Sequence, residues 1–211
     1  MKDSGSEKLV TAARRAGVDD PRVLNAMRTV LRAAFVPLDQ VELAYHDAPI
    51  PIPHGQVTTQ PSLSATMIQA LRLAGTEHVL EVGTGYGYQT ALLAQLASFV
   101  TSIERWPDLA EMARQRLTAQ NIINVNIVDG DGTEGVPAAA PFDAILVSAA
   151  FPKVPTPLVD QLRVGGRLVQ PIGRGGAERV TVFERSMEGL VSLEVVSHAR
   201  FVRLYGRHGY E

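Results

Sequence analysis

The chain has no cysteine in 211 residues, which excludes disulfides, thiolate metal centres and a cysteine nucleophile. An excess of charge is missing as well: 20 Lys and Arg against 22 Asp and Glu leave a formal net charge of −2. A protein that neutralises a phosphate backbone carries a basic footprint, so nucleic acid is not expected as a partner. Long apolar runs are also lacking. The nearest, residues 138–151, is interrupted by Pro141 and Asp143, and no membrane span or membrane partner is expected. The opening Met1-Lys2-Asp3-Ser4-Gly5-Ser6-Glu7 is polar and lacks the apolar centre of a signal peptide, so the expected location is the cytoplasm. His46, His54, His78, His198 and His208 are too scattered to suggest a metal site.

What is present describes an ordinary globular protein, with 45% hydrophobic and 20% charged residues, enough for one α/β domain with a small appendage. Residues 7–16 and 21–32 read as short amphipathic helices, the second with Asp20 as N-cap and Pro21 at its first position. Residues 37–61 are rich in proline and read as irregular. Helices and strands then alternate. Helices are expected over residues 62–74, 88–96, 107–120 and 157–163. Strands are expected over 78–82, 100–104, 125–128, 142–147 and 167–170. Residues 180–185, 190–196 and 200–204 look all-strand. Short, doubly buried strands joined by helices predict a doubly wound, mostly parallel sheet with an antiparallel C-terminal edge. The expected division is an N-terminal helical and irregular extension, residues 1–61, and an α/β domain, residues 62–211, forming one compact unit.

The sharpest local signal is Leu80-Glu81-Val82-Gly83-Thr84-Gly85-Tyr86-Gly87-Tyr88: an apolar strand, an acid, three alternating glycines and a helix. Glycine serves where the backbone turns tightly against a ligand, and the carboxyl end of such a strand borders the crevice of an open α/β sheet. The spacing departs from the dinucleotide fingerprint G-x-G-x-x-G, and Glu81 suits a cationic ligand group better than a pyrophosphate. Glu104 ends the second strand, where a carboxylate can accept hydrogen bonds from both ribose hydroxyls; it reads equally as a solvated charge paired with Arg105. Asp129-Gly130-Asp131-Gly132 follows the third strand, either as a site for an adenine amine or as a simple turn. Thr59 is an oriented hydroxyl or a loop residue assisting the helix that Pro61 opens. His54 reads as a partly exposed loop residue. Trp106 either flanks a nucleotide base or shields the following helix.

These residues resemble the protein-L-isoaspartate O-methyltransferase family. The resemblance runs through Ser102-Ile103-Glu104-Arg105, Gly130-Asp131-Gly132, residues 141–150 and Gly165-Gly166-Arg167-Leu168-Val169. Its family-specific part is Ala44-Tyr45-His46-Asp47 and Gly55-Gln56-Val57-Thr58-Thr59-Gln60-Pro61. Threonine stands at 59 where the family usually has serine, and Arg203 where it usually has proline. The resemblance implies a Rossmann-like methyltransferase fold and S-adenosyl-L-methionine as cofactor. It implies cofactor contacts from Thr58, Glu81, Gly83, Thr84, Gly85, Tyr86, Gly87, Glu104, Asp131 and Gly132. Thr59 becomes the catalytic residue, and Gln56, Val57, Gln60, Val202, Arg203 and Leu204 bind substrate beneath the covering extension. The implied partners are isoaspartyl-containing proteins or peptides, esterified on the free α-carboxylate as a repair step by a monomeric enzyme. Such an acceptor is already an anion at neutral pH, so the lack of a catalytic dyad is expected. The alternatives are the same fold acting on another carboxylate, such as an aspartate of a dedicated peptide, a nicotinamide oxidoreductase, and a module that binds cofactor without catalysis.

Overall fold

A computed structural model describes residues 4–211; Met1, Lys2 and Asp3 of the polar N-terminus lie outside the described residues. Seven strands form one sheet in the order β5-β4-β3-β6-β7-β8-β9. They are β3 (His78–Val82), β4 (Phe99–Glu104), β5 (Val125–Asp129), β6 (Phe142–Val147), β7 (Leu162–Ile172), β8 (Glu178–Ser186) and β9 (Gly189–Ala199). The first five run parallel, and β8 and β9 add the antiparallel edge. This is the doubly wound, mostly parallel sheet with an antiparallel C-terminal edge that the sequence predicts.

Strand alternation divides the core. Val79, Ala144, Leu146 and Val169 face one apolar cluster, whereas Leu80, Val82, Ile145, Val147 and Leu168 face the other. Burying such side chains contributes roughly 1.5–3 kcal/mol each. Chain connections leave β3 toward β4 and β5 on one side, while β6 and β7 lie on the other. The crevice at the carboxyl ends of β3 and β6 is therefore the topological switch point where such sheets receive ligands.

Helices α3 (Pro61–Ala70), α4 (Tyr88–Ala94), α5 (Pro107–Ala119) and α6 (Thr156–Gln161) accompany the sheet, while α1 (Ser4–Arg15) and α2 (Pro21–Thr29) precede it. Helix α1 packs against α2 and α3, and its Leu9 and Val10 join the same apolar cluster as Val79. Asp20 caps α2 as expected, accepting from the Arg22 amide at 2.8 Å. The helix stops at Thr29, not at 32, because Val30 turns extended. A 3₁₀ turn over Arg32–Phe35 follows. No helix among the described residues is long and apolar enough to cross a membrane.

Two expectations are corrected. Residues 37–61 are not irregular throughout: after a 3₁₀ turn over Leu38–Leu43, strands β1 (Ile50–Ile52) and β2 (Gln56–Thr58) form a hairpin. Its prolines are tolerated because a two-stranded ribbon has free edges, and Pro51 points outward between buried Ile50 and Ile52. Residues 200–204 are not a strand of the sheet. The Phe201 amide donates to the Glu178 carboxylate at 2.9 Å, and the segment then bridges to Ala150 across the end of β6. Boundary shifts are smaller: α3 ends at Ala70, α6 at Gln161, and β7 extends to both sides of residues 167–170.

Candidate functional site

The crevice holds a cavity of about 380 Å³. Its floor is the glycine loop, secured by neighbouring strands: the Gly83 amide donates to the Ile103 carbonyl at 2.9 Å, and the Ser148 amide to Val82 at 2.9 Å. Gly85 sits at φ 54°, a left-handed conformation that favours glycine. Its amide donates to Glu104 Oε2 at 2.9 Å, while the Trp106 amide donates to Oε1 at 3.1 Å. Glu104 is only 6% exposed and forms no ion pair with Arg105 among the described residues. Close approach explains Gly132, since a Cβ there would meet Val82 Cγ1 at 2.5 Å.

A second stretch of wall comes from the hairpin and the start of α3. Arg32, fully buried, reaches across to this region. Its Nη1 donates to the carbonyls of Ala44 at 3.1 Å and His46 at 2.8 Å. Its Nη2 donates to the Ala48 carbonyl at 2.9 Å, to Thr58 Oγ1 at 3.1 Å and to the Thr59 carbonyl at 3.5 Å. Burial lowers the Arg32 pKa to about 10, so it remains a cation at neutral pH. Asp47 caps α3 from a distance, accepting from the Ser62 amide at 2.8 Å, Ser62 Oγ at 2.7 Å and Gln60 Nε2 at 2.9 Å. With that cap in place Thr59 is not needed to start the helix. Its hydroxyl has no hydrogen-bond partner among the described residues, and Thr59 lines the cavity. The two threonines thus differ: one hydroxyl is held by Arg32, the other is free for a guest.

Most of the residues expected from sequence converge here. Gln56, Val57, Thr58, Thr59 and Gln60, the loop residues Gly83, Thr84, Gly85 and Tyr86, then Glu104, Gly132, Val202, Arg203 and Leu204 all line the cavity. Glu81, Gly87 and Asp131 do not. Gly87 caps the start of α4 at φ 90°, a left-handed conformation that favours glycine, and a Cβ there would make only ordinary contact with Ala113 and Leu117. Asp131 accepts from the Thr133 amide at 2.8 Å and the Arg207 amide at 2.7 Å, tying down the C-terminal segment. Trp106 also stands outside the lining. His54 stacks on it with centroids 4.0 Å apart and pairs with Asp108 at 2.8 Å, fastening the hairpin turn to the start of α5.

Glu81 lies beneath the floor, with no exposed surface. It accepts from Thr90 Oγ1 at 2.5 Å, Ser102 Oγ at 2.6 Å and Gln89 Nε2 at 3.1 Å. Ser102 also bonds Thr84 at 2.6 Å and Gln89 also donates to Ser148 at 2.7 Å, so the buried carboxyl orients two wall residues indirectly. Burial pushes its pKa from 4.5 up to about 7, against the opposing pull of the three donors. An acid raised in this way keeps a proton that the unfolded chain has released. Its contribution to stability is therefore full below about pH 4.5 and is lost as pH rises toward about 7, at up to about 1.4 kcal/mol per unit. Glu81→Gln should accordingly gain stability relative to the parent between pH 5 and pH 8. Parallel urea-denaturation midpoints across that range would mean that Glu81 is ionised throughout.

Gln89, Ser102 and Ser148 are parts of the site that sequence reasoning left without a role; their spacing along the chain carries no signal of a shared partner. Gln89 Oε1 is buried on the cavity wall without a hydrogen-bond partner among the described residues. A lone acceptor of this kind fits a guest that brings a donor, as the ammonium or amine of S-adenosyl-L-methionine does.

Comparison with known proteins places this geometry. A family model described as protein-L-isoaspartate(D-aspartate) O-methyltransferase matches residues 4–209. A protein-L-isoaspartate O-methyltransferase of Methanoculleus marisnigri is 46% identical over 199 residues, covering 94% of this chain and 90% of the relative. One from Anaeromyxobacter dehalogenans is 50% identical over 190 residues, covering 89% and 91%. Among solved structures, a protein-L-isoaspartate O-methyltransferase aligns with TM-score 0.83 at 29% identity, over 97% of this chain and 67% of that one. A Plasmodium falciparum structure described in the same terms and solved with S-adenosyl-L-homocysteine shares the fold. Its TM-score is 0.82 at 24% identity, over 96% and 99% of the two chains.

Proposed function

The chain belongs to the protein-L-isoaspartate(D-aspartate) O-methyltransferase family, and on that premise we propose how its residues divide the work of the reaction. The reaction is S-adenosyl-L-methionine-dependent methyl transfer to the free α-carboxylate of L-isoaspartyl residues in damaged proteins. One observation carries the assignment: the glycine loop and buried Glu104 share a single cavity with Thr59, whose hydroxyl is uncommitted. S-adenosyl-L-methionine supplies a methyl group activated on a sulfonium. Glu104 accepts from the ribose hydroxyls, and the loop over Gly83, Thr84, Gly85 and Tyr86 carries the remainder of the cofactor with Thr58 and Gly132. Gln89 meets its amino group. Glu81, Gly87 and Asp131 act on the cofactor only through the elements they hold in place.

The acceptor arrives ionised at neutral pH, so the chain has no proton to remove. Its task is alignment and exclusion of water, which together can lower the barrier by many kcal/mol. Thr59 donates its hydroxyl hydrogen to one carboxylate oxygen and so fixes how the acceptor faces the methyl group. Gln56, Val57, Gln60, Val202, Arg203 and Leu204 hold the peptide around it. Residues 1–61 serve as the extension that covers the acceptor and form one compact unit with residues 62–211. The partners are isoaspartyl proteins and peptides, met by a monomer in the cytoplasm.

The test is transfer from labelled S-adenosyl-L-methionine to an isoaspartyl peptide and to its normal aspartyl twin. Labelling of the isoaspartyl peptide alone is expected; labelling of the twin alone, or of neither while cofactor still binds, would assign another acceptor. Thr59→Ala should reduce turnover about 10- to 100-fold, the value of one hydrogen bond to a charged group. Affinity for S-adenosyl-L-homocysteine should hold within about twofold, since the lost hydroxyl contributes to acceptor alignment and not to the cofactor. Full activity in that variant would show the hydroxyl to be dispensable.

A further inference from the structure

The charged groups of the cavity lining are unevenly distributed. Arg105, His198, Arg200 and Arg203 line it, and Glu104 is the carboxylate among them. Glu104 is turned inward onto the amides of Gly85 and Trp106 and offers little to a passing cation. The four basic side chains are exposed, and none pairs with a carboxylate among the described residues. Arg105 is the least free, because it lies in the field of Asp131 and against the Trp106 and Tyr205 rings. Arg200 and Arg203 form no ion pair among the described residues.

Their backbone, by contrast, is fixed. The Ala150 amide donates to Val202 at 2.8 Å, and the Leu204 amide returns to Ala150 at 2.9 Å. Glu178 secures Phe201, and the Arg203 guanidinium lies 5.0 Å from the centre of the Tyr210 ring. A chain with a net charge of −2 thus presents cations that pair with no carboxylate among the described residues, on a hydrogen-bonded strap at the cavity that Thr59 also lines.

We infer that Arg200 and Arg203 select acceptors by charge, favouring isoaspartyl segments that carry further carboxylates beside the isoaspartate. The inference rests on the methyl-transfer reading above and adds a class of preferred acceptor to it. Each exposed contact is individually weak, but cations of one sign along an entry path also raise the local concentration of an anionic guest. The selection acts in KM, since the flanking carboxylates bind equally before and during transfer.

The test compares kcat and KM for three isoaspartyl peptides of equal length, flanked by glutamate, by serine or by lysine. At low ionic strength the acidic peptide should have about fivefold lower KM than the neutral one, with the basic peptide displaced the other way. The differences should shrink toward one in about 0.5 M NaCl, where the Debye length falls to a few ångströms. The acidic-to-neutral ratio should collapse in the double variant Arg200→Ser, Arg203→Ser, survive in Arg200→Lys, Arg203→Lys, and invert in Arg203→Glu. An acidic peptide no better than the neutral one, or a preference that outlives removal of both charges, would overturn the inference alone. Failure of the neutral isoaspartyl peptide to be methylated would overturn the activity, and the inference with it.

Discussion

Glu104→Ala is expected to weaken binding of S-adenosyl-L-homocysteine by about a hundredfold or more. The carboxylate is 6% exposed and ends β4 within the cavity. Its two oxygens each already hold one backbone amide, and each keeps a lone pair for a ribose hydroxyl. Hydrogen bonds to a charged acceptor are worth about 1.5–3 kcal/mol each, and 1.4 kcal/mol is a factor of ten. Losing two of them, together with the restraint on Gly85, leads to that figure. Glu104→Gln should be intermediate, because an amide keeps one acceptor but turns its NH₂ toward one of the two backbone donors. Calorimetric titration decides: a dissociation constant unchanged by the alanine variant removes Glu104 from the cofactor site.

The second large effect is on the fold. Arg32→Met should lower the melting temperature by roughly 10 °C, from a loss of about 3 kcal/mol or more. Methionine retains the apolar stem but leaves the carbonyls of Ala44 and Ala48 without the donors that now satisfy them, while the His46 carbonyl keeps only the Ala48 amide. Each orphaned acceptor costs about 1–3 kcal/mol, partly offset because a cation no longer has to be desolvated. Arg32→Lys should not rescue the loss, since one ammonium cannot span the positions that a planar fork reaches. The damage should extend to chemistry as a raised KM for the peptide, because the same guanidinium holds Thr58 Oγ1 and the Thr59 carbonyl. A variant that melts like the parent and keeps its KM would show that the surrounding loop is held by other means.

The parts of this molecule that could be read from sequence are those where local chemistry dictates the outcome. Apolar alternation and an N-cap Asp20 before Pro21 define elements within a few residues. Glycines between β3 and α4 have one common explanation, a close backbone turn beneath a ligand. An acid ending the next strand then falls in the same crevice because the sheet is parallel. Arg32 was opaque because its partners lie 12 to 27 residues further on and the helix expected to contain it stops short at Val30. The burial of Glu81 is illegible in the sequence for a related reason: strand alternation fixes which face it shares, not whether side chains from α4 and β4 cover it. The prolines at 49, 51 and 53 hid a hairpin, because a breaker inside a sheet is acceptable at the edge of a ribbon. Residues 200–204 have a strand-like pattern, but a side-chain carboxylate takes the Phe201 amide that a neighbouring strand would otherwise have used.

The hairpin's attachment has a practical consequence. The chain contains a single tryptophan, and the imidazole of the hairpin turn lies flat upon it, with an interplanar angle of 5°. Ring-on-ring contact at that distance couples the indole's excited state to its neighbour, and separation by a few ångströms ends the coupling. The molecule thus carries an intrinsic optical reporter at the point where the hairpin turn meets the start of α5. Because Trp106 stands outside the cavity lining, its emission reports on the seating of the hairpin turn without a label.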